Sequence, residues 1–463
     1  MAAITRQPLP IELPPAISYP AGRVSSGRSA ALAVGVLGFL CMMPYPAIPV
    51  GGYSAIQMGN IVTLLMALPL LKVAWRARPL WFLLLILTPL CISSLHVALL
   101  GGGDVGQCLR SIAVWAISCL TMIVALWYAP RCALSLLTGV AIATLIHVAV
   151  GGWQAYAFTS GEFPLIDLYV NPSFLSVQDN AQTIARYTQR PFGLFPEPSA
   201  MSCSLAPWVL FWFAQILGLV RLRQSPAAWQ RILFAVAAVS GLGLIILSRS
   251  GHTAVTLTAI LLFSVIWLLR SRATLGTYLK LVLIFGAVLP TVLWLATVAL
   301  SDRTSIKNSS WQDRTNSMII GLGLLARGDW STIVLGLGPG MSAPAIQQLT
   351  GLEAVWSVSL TYIYETGIVG MVAISIAGLY FMRVWHSIRY DAAFATIAGV
   401  WLVGITITTS YEQLLSLWLT LGWLAVWPEI CQSSGPMRRD ARQQSPVGEL
   451  SPAMSERVQR RLT

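Results

Sequence analysis

Residues 190–220 read RPFGLFPEPSAMSCSLAPWVLFWFAQILGLV: a short proline-rich segment with one arginine and one glutamate runs directly into a long uncharged stretch. An apolar run of this length predicts a helix that crosses a membrane, because the hydrocarbon core of a bilayer needs ~20 helical residues. Proline fixes φ and restricts the residue before it, so Pro196 and Pro198 should hold Glu197 in a defined, non-helical entry to a helix that begins near Ser199. The stretch therefore predicts a membrane helix with an ionisable group fixed at its start.

The composition of the whole chain is that of a polytopic membrane protein. Of its 463 residues 56% are apolar and only 10% are charged, and the mean hydropathy is +0.72, which no soluble domain of this size would show. The predicted fold is all-α, with about 12 transmembrane helices. The apolar segments lie at about 30–48, 56–73, 79–99, 109–128, 132–155, 199–220, 232–248, 252–269, 280–300, 357–382, 392–409 and 412–430.

The net charge of +12 reflects topology and does not indicate a nucleic-acid partner. No basic domain, aromatic RNA-binding signature or zinc-finger spacing accompanies it. With both termini cytoplasmic, 21 of the 29 lysines and arginines fall on the cytoplasmic side, which is the bias that orients membrane helices. This bias predicts a multi-pass membrane protein with both termini in the cytoplasm.

Two outer connections are much longer than the others, and long structured loops usually carry sites. These predicted periplasmic loops run from about 156 to 198 and from about 301 to 356. Apolar residues recur at helical spacing over 313–326, so the second loop should be partly helical. A transmembrane domain over 30–430 would then carry both loops. Two cytoplasmic tails flank it, residues 1–29, which are rich in Pro, Ser and Arg and predicted to be disordered, and the basic residues 431–463.

Several kinds of chemistry have no residues to support them. The seven cysteines lie mostly within or beside predicted helices without CxxC spacing, so neither a disulfide framework nor a zinc site is expected. No Walker loop, HExxH motif or GxGxxG after a strand occurs. The sequence predicts an activity that needs no metal and no cofactor.

Short motifs in the middle and later part of the chain carry a resemblance to a known family. They are RPFGLFPEPSA before a helix, SRSG at the end of a later one, an arginine ahead of an amphipathic run, GLGPG, and ETGIVG. This order, over about 186–372, resembles the superfamily of O-antigen ligases and Wzy-type polysaccharide polymerases. The resemblance implies a polytopic enzyme that transfers glycans from an undecaprenyl pyrophosphate carrier to an acceptor hydroxyl.

The resemblance assigns roles to particular residues. Arg190 and Gly193 match the arginine and glycine that open the first family motif, Arg249 matches the arginine of the second, and Arg314 matches the one ahead of the glycine-rich segment. That segment itself corresponds to Gly336, Gly338 and Gly340, where the lack of side chains lets the backbone approach another helix or a ligand.

The chain departs from the family pattern at one point. Ligases of the superfamily typically place a His-Asn pair about nine residues before the glutamate of the ExG segment. Counting back from Glu365 gives Trp356 and Ser357 here. The missing histidine favours a polymerase over a ligase.

Physical chemistry agrees with the implied roles. Arginine forks bind phosphate oxygens in a bidentate way and stay charged, so Arg190, Arg249 and Arg314 are the candidate pyrophosphate ligands. A carboxylate near the acceptor hydroxyl could take its proton, which makes Glu197 the first candidate base and His252 the second. Glu197 could equally be a structural partner of an arginine or of the helix N-terminus.

Other assignments stay open for single residues. Arg249 could instead reach lipid headgroups from a helix end, and His252 could serve as a cap. Glu365 lies in an apolar context where a charge is expensive unless it is paired, so pairing within the bundle is favoured over chemistry.

The sequence as a whole predicts an inverting glycosyltransferase that polymerises lipid-linked repeat units of an exopolysaccharide, capsule or O-antigen at the periplasmic face. Its expected partners are the undecaprenyl-pyrophosphate-linked oligosaccharide, the growing polysaccharide, membrane lipid and a chain-length regulator. A ligase that moves glycan to lipid A or protein is the first alternative. A flippase is the second; it would need ionisable residues along a path through the bilayer, and the predicted helix interiors hold few.

Overall fold

The computed structural model describes residues 27–45, 47–51, 54–74, 78–100, 104–171, 181–182, 184–270, 310–350, 357–387, 391–408 and 411–432. The helices of this part are α1 Arg28–Cys41, α2 Met58–Ala74, α3 Arg78–Leu100, α4 Val105–Ala157, α5 Pro198–Ile216, α6 Ala228–Leu247, α7 Gly251–Arg270, α8 Ser310–Arg327, α9 Trp330–Leu335, α10 Ser342–Thr350, α11 Val358–Ser387, α12 Ala392–Val403, α13 Leu415–Ala425 and α14 Trp427–Ile430. A π-helical turn, Gly404–Thr408, extends α12.

The described helices have the character of a helical membrane protein. Five of the helical segments in the described residues are long and apolar enough to cross a membrane: Trp81–Leu99, Val105–Ser160, Pro198–Ile216, Ala228–Leu247 and Val358–Leu379. Shorter apolar helices accompany them, among them α1, α7 and α13. The membrane-type, helical fold expected from composition is therefore confirmed, while the number of twelve spans stays a prediction. The span predicted at 280–300 lies outside the described residues.

Helix α4 is two helices joined without a loop. Cys132 has non-helical angles (φ −129°, ψ 33°) and follows Pro130 closely, and a proline inside a helix removes a hydrogen bond and kinks it. The two spans predicted at 109–128 and 132–155 correspond to the halves on either side of this kink. The predicted break between the two spans is confirmed, and it occupies only a few residues.

Small residues bring α1 and the second half of α4 into direct backbone contact. A Cβ atom built on Gly139 would lie 1.9 Å from the carbonyl oxygen of Gly35, and one on Gly38 would lie 2.6 Å from the carbonyl oxygen of Leu136. Close approach at small residues is how membrane helices gain packing energy when lipid offers no hydrophobic advantage. Any side chain at these glycines would push α1 away.

Helix α5, the helix of the opening stretch, lies in the middle of the described bundle. In the most apolar stretch of α5, 83% of the residues are buried. The helix packs against α6, α7, α12 and α13. Trp208 and Trp212 are buried on it, and Trp212 stacks on Phe234 of α6 with an interplanar angle of 9°. The predicted start near Ser199 is confirmed, since α5 begins at Pro198.

Two short antiparallel strand pairs occur within this helical fold. Strand β1 (Ala47–Gly51) pairs with β2 (Ser54–Gln57) between α1 and α2. Strand β3 (Arg221–Leu222) pairs with β4 (Cys431–Gln432), which joins the segment after α5 to the segment after α14. The first pair accounts for the early end of α1, because the predicted span 30–48 included residues that form the hairpin.

The connection predicted at 301–356 is largely helical where it is described. The helix expected over 313–326 is present as α8, which ends before Gly328 as expected, and α9 and α10 follow it. In the earlier connection α4 continues to Ala157, and short helical turns follow at Phe158–Ser160, Ile166–Leu168 and Ile184–Thr188.

Candidate functional site

A buried glutamine of α4 holds the proline-rich loop in place. The Oε1 atom of Gln154 accepts hydrogen bonds from the backbone N–H groups of Phe192 (3.0 Å) and Gly193 (2.9 Å). Its Nε2 atom donates to the carbonyl oxygen of Gly193 (3.1 Å) and to the hydroxyl of Tyr169 (2.6 Å), and that hydroxyl also donates to Gly193. The loop that follows Arg190 is thus fixed by one side chain, with every polar group of that side chain in use.

His147 supports the same loop from α4. Its Nδ1 atom accepts from the N–H of Leu194 (3.1 Å), and its Nε2 atom lies 2.8 Å from the carbonyl oxygen of Met42. Since a carbonyl can only accept, His147 is neutral with its proton on Nε2. This agrees with the expectation that His147 serves structure. Gly193 has φ +57°, and a Cβ on it would lie 2.9 Å from Nδ1 of His147, so a side chain has no room there.

Glu197 lies where the loop becomes a helix. Its backbone is extended (φ −159°, ψ 163°) and Pro198 takes the first helical position, so the predicted non-helical entry is confirmed. The side chain is half-buried, and its Oε1 atom accepts a hydrogen bond from the hydroxyl of Ser199. The carboxylate therefore lies at the positive end of the α5 dipole.

A chain of serines joins the start of α5 to the turn between α6 and α7. Ser250 donates to the hydroxyl of Ser202 (2.8 Å), the hydroxyls of Ser202 and Ser248 are 3.0 Å apart, and Ser248 donates to the carbonyl oxygen of Ile245 (2.7 Å). All three serines are buried. The structure thereby brings the segments RPFGLFPEPSA and SRSG together, although about fifty residues separate them in sequence.

In both segments a residue with positive φ lies at the arginine or directly before it. Arg249 itself has φ +48°, and so does Gln189, the residue before Arg190. The left-handed region costs ~1–2 kcal/mol for a residue with a Cβ, and such residues concentrate at functional sites. Arg249 is exposed between two buried serines, so the strained turn keeps the serines inside and the guanidinium outside.

His252 lies inside the bundle, in the first turn of α7. It is fully buried, and its Cε1 atom would lie 3.5 Å from a Cβ built on Gly404. The π turn that begins at Gly404 packs against α5, α7 and α11. His252 is thus next to the serine chain but on its interior side, whereas Arg249 is on the exposed side.

The glycine-rich segment hydrogen-bonds to a break in helix α11. Gly367 interrupts the helix with φ +62° and ψ −150°. The N–H of Leu337 donates to the carbonyl oxygen of Tyr364 (2.9 Å), and the N–H of Gly338 donates to that of Glu365 (3.2 Å). The segment thus supplies donors to carbonyls at the end of the first half-helix, where four carbonyls lose their partners.

The three glycines approach protein closely. A Cβ on Gly336 would lie 2.3 Å from the backbone of Glu365, one on Gly338 would lie 2.5 Å from Val97 of α3, and one on Gly340 would lie 3.0 Å from Gln107 of α4. All three have positive φ. The backbone of this motif was expected to approach either another helix or a ligand. Among the described residues, the neighbours it approaches belong to helices.

Glu365 is the carboxyl group at this break. It is 2% exposed. Its Oε1 atom accepts from the hydroxyl of Ser342 (2.8 Å), its carbonyl oxygen accepts from Ser93 (2.7 Å), and its Oε2 atom has no hydrogen-bond partner among the described residues. A second carboxylate, Glu412, is close enough to repel it. Pairing of Glu365 within the bundle is thus found, and its carboxyl group interacts with neutral donors: the hydroxyl of Ser342 and the backbone N–H groups of Gly340 and Ser342.

The remaining predicted site residue, Arg314, lies on α8. Its side chain is outside the described part of the structure. One turn later, the carbonyl oxygen of Met318 accepts a hydrogen bond from the hydroxyl of Tyr364 (2.7 Å), and Gly321 lies against the Tyr364 ring. Helix α8 is therefore held against α11 at Tyr364, the residue before Glu365.

Helix α9 begins at a well-formed cap. The carboxylate of Asp329 accepts from the N–H of Thr332 (2.8 Å) and from the hydroxyl of Ser331 (2.9 Å). The bonds from Thr332 and then Ser331 lower the pKa of Asp329 to about 2, since they favour its charged form.

The predicted residues thus form two groups. Glu197, Arg249 and His252 lie around the start of α5, and Arg190 lies in the loop that leads into this helix. The glycine-rich segment and Arg314 belong to the α8–α11 region, and the π turn contacts helices of both groups. The supporting residues Gln154, Ser202 and Ser342 had no sequence signal, because buried polar residues in apolar helices reveal their partners only in three dimensions. Gly367 could have been noticed as a glycine inside a predicted span.

Comparison of this chain with family models, curated proteins and solved structures finds no match. Among the described residues, no group of three His, Cys, Asp or Glu side chains could hold a metal ion.

Proposed function

We propose that this protein is a membrane glycosyltransferase that polymerises oligosaccharide repeat units carried on undecaprenyl pyrophosphate. The proposal rests on the order of the motifs and on the resemblance to Wzy-type polymerases that this order carries. The acceptor is the sugar of a second lipid-linked unit, and the reaction takes place at the periplasmic face of the inner membrane.

The observation that carries the proposal is the serine chain from Ser250 through Ser202 to Ser248. It places the exposed, strained Arg249 beside the start of α5, where Glu197 lies. A cation and a carboxylate presented together at one helix start are what transfer from a pyrophosphate needs: the cation stabilises the departing diphosphate, and the carboxylate accepts a proton.

The roles in this mechanism follow from charge and from the family resemblance. Arg190 and Arg249 bind the diphosphate oxygens, and the resemblance assigns the same role to Arg314. The acceptor oxygen attacks the anomeric carbon, the bond from that carbon to the phosphate oxygen breaks, and the diphosphate leaves with the electron pair. The hydroxyl proton passes to Glu197, which is half-buried and has its backbone fixed by two prolines. His252 is the second candidate for this proton.

Deletion of the gene, followed by gel analysis of lipid-linked glycans, tests the proposal. Accumulation of single repeat units is the expected result. Full-length glycan that lacks only its final attachment would indicate a ligase. Units trapped on the cytoplasmic face would indicate a flippase, for which the buried Glu365 inside a helix bundle is the observation in favour.

Reconstitution gives a direct test. The purified protein in liposomes should convert lipid-linked repeat units into a ladder of longer glycans, and a variant with both Arg190→Ala and Arg249→Ala should not. A wild-type protein that binds the substrate but produces no ladder contradicts the polymerase proposal.

A further inference from the structure

The break in helix α11 collects negative charge inside the bundle. Glu365 is almost completely buried and carries one carboxylate oxygen, Oε2, without a hydrogen-bond partner among the described residues. Gly367 ends the first half-helix directly after it, and the C-terminal end of a helix carries partial negative charge. The strongest charged neighbour of Glu365 is another carboxylate, that of Glu412.

Polar side chains from other elements lie close to the same carboxyl group. Ser342 of α10 donates to Oε1. Cys108 of α4 interacts both with the hydroxyl of Ser94 on α3 and with the charge of Glu365, so α3, α4, α10 and α11 converge here. Hydroxyl and carboxylate oxygens are ligands for hard cations, whereas transition metals prefer imidazole and thiolate.

An ionised carboxylate in a membrane interior is expensive unless a positive charge joins it. Discontinuous membrane helices meet this requirement in a general way, since the C-terminal ends of half-helices and nearby oxygens coordinate Na⁺ or H⁺. We propose that the break in α11 is a binding site for a small monovalent cation, Na⁺ or a proton, with Oε2 of Glu365 as its anionic ligand. The site is separate from the arginines assigned to the diphosphate, and it does not depend on the polymerase proposal.

The structure also indicates what the cation does. Glu365 connects α11 to both neighbouring segments: its Oε1 atom accepts from Ser342 of α10, and its carbonyl oxygen accepts from the N–H of Gly338 in the glycine-rich segment. A cation on Oε2 removes the repulsion from Glu412 and so stabilises the packing of this segment on α11. Occupancy of the site should therefore raise the thermal stability of the protein.

Thermal unfolding of the purified full-length protein tests the site without any assay of activity. The melting temperature is followed by tryptophan fluorescence in NaCl and in choline chloride of equal ionic strength, at pH 6, 7 and 8. If Na⁺ is the ligand, the melting temperature of the wild type rises with the logarithm of the NaCl concentration, and more steeply at pH 8, where protons compete less. If the proton is the ligand, NaCl has no specific effect and the melting temperature falls as the pH rises.

Variants assign either response to Glu365. Glu365→Gln keeps an acceptor for Ser342 but carries no charge, so it should lose the dependence on Na⁺ or on pH. Glu162→Gln, at an exposed position, should respond like the wild type, and Ser342→Ala should shift the response to higher cation concentration. The titratable groups that interact with Glu365 must be considered in the pH series: Glu412 ahead of α13 and Cys108 of α4.

Two outcomes would overturn the proposal. A wild-type protein whose melting temperature responds to neither cation has no such site, and this result needs no variant. A response that Glu365→Gln retains in full belongs to another group. Because the readout is stability, both outcomes are independent of whether the protein polymerises glycans.

Discussion

Gln154 and Gly193 are joined in both directions: the glutamine Oε1 accepts the glycine N–H at 2.9 Å, and the glutamine Nε2 donates to the glycine carbonyl at 3.1 Å. A side chain that bonds to both polar groups of one residue fixes the orientation of that peptide. Arg190 lies three residues before this point, so the position of a proposed diphosphate ligand depends on an amide in a neighbouring helix.

Replacement of the amide should destabilise the protein. Gln154→Leu leaves the N–H groups of Phe192 and Gly193 buried without their partner, at a cost of about 1 to 3 kcal/mol each. The thermal midpoint in detergent should fall clearly, and polymer length should fall with it. Gln347→Leu, at an exposed position of α10, is the matched control and should leave the midpoint unchanged. Equal midpoints for the two variants would contradict this account.

Substitution of two glycines distinguishes the cost of backbone strain from the cost of a steric clash. Gly193 and Gly218 both have positive φ, but a Cβ on Gly193 meets His147 at 2.9 Å, whereas one on Gly218 meets nothing within 4 Å. Gly218→Ala should cost only the conformational term, about 1 kcal/mol. Gly193→Ala should cost more, about 2 to 4 kcal/mol, because the loop must move away from α4. Chemical or thermal unfolding of the two variants side by side measures the difference.

Arg249 should show a conflict between stability and activity. Its φ of +48° is costly for arginine and free of cost for glycine. We therefore expect Arg249→Gly to raise stability by about 0.5 to 1 kcal/mol while it abolishes polymerisation. Arg249→Lys keeps both the charge and the strain, loses the planar fork, and should lower activity at unchanged stability. Full activity of the glycine variant would remove Arg249 from the mechanism.

Two substitutions of Arg314 distinguish a role as a phosphate ligand from a role in a structural ion pair. If bidentate contact matters, Arg314→Lys should impair polymerisation nearly as much as Arg314→Ala, since lysine lacks the planar fork. In a salt bridge with Asp313 or Asp302, lysine would largely preserve activity and alanine would lower the amount of protein. Both variants should be quantified in membranes before polymer length is compared, and near-normal polymer from a well-expressed alanine variant excludes the residue.

The cap of α9 should depend on pH in a defined direction. The pKa of Asp329 is lowered from 3.8 to about 2 by its bonds to Thr332 and Ser331. A lowered pKa in the folded state contributes stability that is complete above the unfolded value and is lost as the pH falls through about 2. At pH 7 the carboxylate of Asp329 is ionised and its contribution is complete, so hydrogen exchange of α9 should be faster in Asp329→Ala than in the wild type. Asp167→Ala, at another exposed position, should leave α9 unchanged.

The sequence was most informative where a local rule determines the structure. The start of α5 near Ser199, the helix over 313–326 and the break between the spans 109–128 and 132–155 all follow from properties of single residues or of short runs. Side-chain partners between distant helices follow no such rule. The bonds of Gln154 to Gly193 and of Ser202 to Ser250 join residues about forty or fifty positions apart, and their polar side chains could have faced any neighbour.

The glycine-rich segment shows the same limit in another way. Three closely spaced glycines predicted close backbone approach, and that is found. The object approached could not be predicted, because it depends on the interruption of α11 at Gly367. The predicted span also contains Gly370 and Gly378, and the sequence does not show at which glycine the helix is interrupted.

The strand pair β3–β4 has a mechanical consequence for the basic tail. It fixes Cys431 and Gln432 beside Arg221 and Leu222, just after the end of α5, so residues 433–463 start from a point anchored to the central helix of the described bundle. Helix α5 has 19 residues, and Glu197 lies immediately before its other end. A force on Gln432 would therefore act first on the strand pair next to α5, the helix whose start carries the serine chain and Glu197.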